Sequence, residues 1–131
     1  MIELLVGLVV GIGIIVLGKS CGFENDRGFY PILLIVIALY YVLFAFQRMV
    51  WVEIATETLV AVLFSMLALG GHQRKFMLVG LGLILHGMYD IFHQHLPLTT
   101  EAPQWWPLFC FGVDVVLGGW FLREYKNQHD L

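Results

Sequence analysis

Five apolar stretches, at 2–17, 29–46, 51–69, 76–96 and 105–122, take up most of this chain, and all seven lysines and arginines fall between them or after the last. A helix of about 17 to 25 apolar residues crosses the roughly 30 Å hydrocarbon layer of a bilayer. Backbone groups find no water there, so a spanning segment must close its own hydrogen bonds, which for runs of this length means helix. The expected fold is an all-α integral membrane protein, a bundle of about five transmembrane helices, with 1–131 forming a single domain. Composition agrees, because 131 residues that are 60% hydrophobic and only 13% charged, with a mean hydropathy of +0.83, carry more apolar surface than a soluble domain of this length can bury. Only Gln47, Arg48, Met49 and Val50 join the second stretch to the third, so those two helices should form a tight hairpin.

Orientation follows from the basic residues. Lys19 and Arg27 follow the first stretch, Arg74 and Lys75 the third, and Arg123 and Lys126 the fifth, while only Arg48 lies on the opposite side. Cytoplasmic loops carry the excess of Lys and Arg, which puts the N-terminus outside and the C-terminus in the cytoplasm. Glu3 replaces the basic start of a signal peptide and Lys19 follows the run, so the first stretch reads as a retained span. Trp51, Trp105 and Trp106 would form an outer aromatic belt, with Trp120 near the inner interface. A net charge of −3 gives no basic surface for nucleic acid. Cys21 and Cys110 fall at different depths and are not expected to form a disulfide.

Within the fourth stretch, His86, Asp90 and His93 stand at helical spacing inside an arc of roughly 60°. Ionisable residues at membrane depth are costly and by default mark a functional site. At 1.5 Å rise per residue, Glu57 and Asp90 lie ~9 Å, Asp114 ~14 Å and His86 ~15 Å from the outer ends of their helices. Glu53 lies one turn above Glu57, and Cys110 one turn above Asp114 on the same face. Three acids with no intramembrane Lys or Arg need neutralising, since each costs ~2.5 to 3.5 kcal/mol at a helix centre. Bound metal, protons or transported cations and His⁺ are the physical options.

The reading that best uses these residues is a divalent metal site, with His86, Asp90, His93 and Asp114 as ligands. Imidazole and carboxylate suit zinc first, with iron, manganese or copper also compatible. No His-Glu-x-x-His motif, paired Cys-x-x-Cys motif or Gly-rich phosphate loop is present. A structural role is the competing account: His86 and Asp90 as interhelical hydrogen-bond partners, His93 and Glu53 solvated near the boundary, Cys110 a small buried apolar residue. His95 points away from His86 and reads as a loop residue, and His72 and His129 as solvated groups on the inner face.

Small residues let helices approach closely. Gly7 and Gly11 form a G-x-x-x-G step that serves packing within the chain or a homodimer, and Gly80, Gly82, Gly87, Gly112, Gly118 and Gly119 mark the fourth and fifth stretches for close packing. Pro31 and Pro107 stand where a helix start tolerates proline.

The run Arg27, Gly28, Phe29, Tyr30, Pro31 leading into LIVIALYYVLFA, then HGMYDIFH, then Pro103 with Trp105, Trp106, Pro107, Phe109, Cys110 and Asp114, resembles a group of small bacterial multi-pass membrane proteins of unknown function. The resemblance covers nearly the whole chain and implies a bacterial inner membrane, with no activity attached. A looser chemical likeness is to the alkaline ceramidase and adiponectin-receptor group, which holds zinc through histidines among seven helices; five spans and the lack of a His-x-x-x-His pair set this chain apart. The expected function is that of a metal-binding membrane protein, a zinc-dependent hydrolase at the outer leaflet with Glu57 as general base, acting on a lipid or another small molecule. The alternatives are a proton or metal-ion carrier or channel subunit and a structural assembly factor.

Overall fold

The computed structural model describes residues 2–23, 28–73, 75–93, 95 and 103–129, with side chains to residue 124 in the last segment. Arg27, Arg74 and Leu96, and the side chains of Lys126 and His129, lie outside the described residues. Five helices follow in order: α1 Ile2–Cys21, α2 Phe29–Arg48, α3 Trp51–Gln73, α4 Met77–His93 and α5 Trp106–His129. No strand occurs among the described residues. Four of the helices, α1, α2, α3 and α5, are long and apolar enough to cross a membrane, while α4 is a shorter apolar helix.

Each helix starts close to where the apolar run starts, and α1, α2, α3 and α5 end beyond it, whereas α4 ends at His93, short of the expected end at 96. Lys19, Arg48, Gln73 and Arg123 continue the helices past the apolar residues, because straight-chain polar residues are good helix formers and carry no penalty once outside the apolar layer. Four of the basic residues assigned to joins therefore sit on helix ends: Lys19, Arg48, Arg123 and Lys126. Gly22, with φ of 78°, stops α1. The α2–α3 hairpin is as tight as 47–50 required: Met49 takes the left-handed conformation, φ 56° and ψ 32°, and its N–H donates to the carbonyls of Ala45 and Phe46. Arg48 then reaches across the turn to Glu53, Nε to Oε2 3.0 Å, so Glu53 is held in an ion pair at the surface end of the hairpin.

α4 lies at the centre, against α3, α5 and α2, and α1 packs on the far side of α5. Gly7 of α1 abuts Phe109, Gly11 abuts Val113 and Val116, and Lys19 lies on Trp120. The partners advance together along both helices, so α1 and α5 run parallel. Glycine is obligatory at that seam: a Cβ at Gly7 would overlap the Phe109 carbonyl oxygen, and one at Gly112 would lie 2.9 Å from the Leu4 carbonyl oxygen. Gly7 and Gly11 are thus both spent on α5 of the same chain.

Burial is inverted relative to a water-soluble domain. Leu5, Val9, Ile12 and Val16 of α1, Leu39 and Leu43 of α2, Leu59, Leu63 and Met66 of α3, and Leu85, Met88 and Phe92 of α4 all point outward. Glu57, His86, Asp90, His93 and Asp114 are all at most 2% exposed. An apolar exterior of this extent would associate in water. Trp51 and Trp105 are exposed near the helix ends, whereas Trp106 is buried against Tyr40 and Phe44, which removes it from the expected aromatic belt.

Candidate metal centre

α4 supplies the core of the site through one face. His86, Tyr89, Asp90 and His93 follow at i, i+3, i+4 and i+7, so a central helix turns all four toward its neighbours. α5 brings Asp114 alongside: Gly87 has no side chain, and a Cβ there would stand only 3.2 Å from Asp114 Cβ. The two residues that the helical rise placed at nearly equal depth are in contact, with His86 Nδ1 2.8 Å from Asp114 Oδ2. The same nitrogen is 3.6 Å from Asp90 Oδ2. One ligand atom from each of His86, Asp90 and Asp114 lies within 4.8 Å of the others, a buried group able to hold a metal ion.

His93 goes elsewhere. Its Nε2 is hydrogen-bonded with Glu57 Oε2 at 2.6 Å, and the hydroxyl of Tyr89 donates to Glu57 Oε1 at 2.7 Å. Of the four expected ligands, His86, Asp90 and Asp114 come together while His93 stands apart with Glu57, because the i+7 position lies on past Asp90 and meets α3 before it can meet α5. His93 is also not solvated, being 2% exposed. Tyr41 of α2 links the groups: its hydroxyl donates to Asp90 Oδ1 at 2.7 Å, and its ring stacks on His93 with centroids 4.0 Å apart. Cys110 is buried beside Tyr41 and Trp106. Cys21 is exposed, and both cysteines are free. His95 is exposed in the turn after α4, and Glu53 belongs to the Arg48 pair.

Reading for charge overlooks Tyr41 and Tyr89. Each sits in an apolar or mixed run where its ring packs as a hydrophobe, yet a phenol at that depth needs a hydrogen-bond partner. That need is the signal that could have found them.

Two carboxylate oxygens are left over. Asp90 Oδ2 and Asp114 Oδ1 are buried with no hydrogen-bond partner among the described residues, whereas both oxygens of Glu57 are occupied. Buried carboxylate oxygens without donors are costly unless a cation or proton faces them.

The family model described as "Family of unknown function (DUF6010)" matches residues 2–127. The chain belongs to this family. Membership agrees with the likeness to small membrane proteins of unknown function and attaches no activity to DUF6010. No curated protein and no solved structure matches the chain.

Proposed function

We propose that this DUF6010 chain is an integral membrane protein that binds one divalent metal ion, zinc first, through His86, Asp90 and Asp114, and uses it for hydrolysis. The observation that carries the reading is the pair of orphaned oxygens on Asp90 and Asp114 beside His86 Nδ1. Charge supports it. Asp90 and Asp114 set two carboxyl groups beside the single imidazole of His86. A divalent cation offsets both. Three protein ligands also leave a coordination position open, the pattern of catalytic zinc sites, whereas structural sites close all four.

A bound zinc would supply Lewis acidity and a water of lowered pKa. The chain's own groups divide the remaining work. Tyr41 orients Asp90, Tyr89 and His93 hold Glu57, and Glu57 would be the proton acceptor. The site would face the outer half of a bacterial inner membrane if the basic ends of α1, α3 and α5 are cytoplasmic.

The deciding experiment is metal analysis of detergent-purified protein prepared without chelators. Wild type should carry close to one equivalent. His86→Ala and Asp114→Asn should each remove most of it, and the double variant little more, as expected for ligands acting as a unit. His93→Gln should leave the metal in place. Wild-type protein without stoichiometric metal would sink the proposal. A carrier role draws on one further observation, the unbroken contacts from Glu57 through His93, Tyr41 and Asp90 to His86; proton or zinc flux into liposomes, absent in His86→Ala, would favour it over hydrolysis.

A further inference from the structure

The parallel seam between α1 and α5 opens, near the C-terminal ends of both helices, into a groove of about 530 Å³. Ile12 and Val16 wall one side and Val116 and Gly119 the other, with Lys19 and Arg123 at the mouth. Gly119 gives the groove its depth, since nothing lies within 4 Å of where its Cβ would be. The two cations share one indole: Lys19 Nζ is 4.5 Å from the Trp120 ring centroid, and the Arg123 guanidinium carbon is 6.0 Å from it. Neither has a carboxylate partner among the described residues. Glu124, next in sequence to Arg123, is turned about 100° away around the helix.

An apolar channel running about 10 Å along α1 from Ile12 to Lys19, ending at two adjacent cations with no carboxylate partner among the described residues, has the polarity of an acyl chain joined to an anionic headgroup. We propose that this groove binds an anionic phospholipid, with the phosphate between Lys19 and Arg123 and one acyl chain against Ile12, Val16, Val116 and Gly119. The cations are complementary to a net negative headgroup, whereas a zwitterionic headgroup brings a positive charge that they repel. The proposal rests on the chain residing in a membrane and is independent of the metal centre, which lies on the opposite side of α5 from α1.

Native mass spectrometry of the full chain, titrated in detergent with phosphatidylglycerol and phosphatidylcholine, tests it. Wild type should retain phosphatidylglycerol in preference. A basic residue near an anionic headgroup contributes about a fivefold gain in affinity, so Lys19→Gln and Arg123→Gln should each weaken retention about fivefold, and the double variant about thirtyfold. Lys19→Arg keeps the charge and should bind as wild type. Gly119→Leu keeps both charges and fills the groove; it too should lose the lipid. Lys75→Gln, at a separate groove between α3 and α4, should have no effect. Thermal melting of each variant shows that it is folded. Equal retention by wild type and the double variant would overturn the proposal, and so would displacement of the lipid by millimolar glycerol phosphate, which would reveal a site for phosphate alone.

Discussion

At the scale of single residues, the centre is defined by which oxygens have partners. Tyr41 spends its hydroxyl on Asp90 Oδ1, which leaves Oδ2 turned to His86 Nδ1. It is a positioning residue: Tyr41→Phe keeps the ring stacked on His93 and frees the carboxylate to rotate. Partners of this kind are worth about 10- to 100-fold in metal affinity, so competitive chelator titration of the Tyr41→Phe protein should show zinc binding weakened by about that factor, with one equivalent still bound at saturation. Unchanged affinity would mean that Asp90 is held by something else. His86, Asp90, His93, Glu57 and Asp114 were legible in the sequence because an ionisable group stands out in an apolar run. Which acid His93 meets was not legible, since its 2.6 Å partner sits on another helix and periodicity within α4 says nothing about the rotation of α3. The tyrosines were hidden for a different reason, being equally at home in a purely apolar face.

Among the helices, glycine decides who touches whom. Gly7 and Gly13 stand in the same helix and the same apolar run, yet a methyl group at Gly7 would run into backbone of α5, while at Gly13 it would meet nothing within 4 Å. Gly7→Ala should therefore cost about 1 to 3 kcal/mol, the usual range for overpacking, and Gly13→Ala should be neutral or better. Unfolding in a mild detergent by denaturant or heat measures both. Because α1 contributes none of the side chains of the centre, the folded fraction of Gly7→Ala should still bind metal. The sequence showed that Gly7 and Gly11 were for close packing but not against which helix, because a small-residue step carries no label for its partner. It showed five helices well, since apolar length is a local property. Their ends ran on through Lys19, Gln73 and Arg123 because the edge of an apolar run is a boundary of solvent rather than of hydrogen bonding.

For the whole molecule, the parallel packing of the first and last helices carries the argument. Successive spans alternate in direction, so a first and fifth helix that run parallel fit a chain that crosses an odd number of times. With the positive-inside bias, a cysteine at Thr99→Cys should react with an impermeant thiol reagent on intact cells, and one at Gln128→Cys should not, in protein lacking Cys21 and Cys110. Labelling of position 128 alone would invert the orientation; equal labelling would contradict an odd number of crossings.

The α1–α5 seam also sets a schedule. Gly7 waits for Phe109, about a hundred residues later in synthesis, which at roughly 5 to 20 residues per second is a delay of about 5 to 20 s. Asp114 arrives with the same helix. Until then α1 has no partner for its glycine face, and the carboxylate of Asp90 and the imidazole of His86 lack the third member of their group. Completion of the His86, Asp90 and Asp114 group and closure of the bundle are therefore a single late event, reached only by chains whose last helix has been completed.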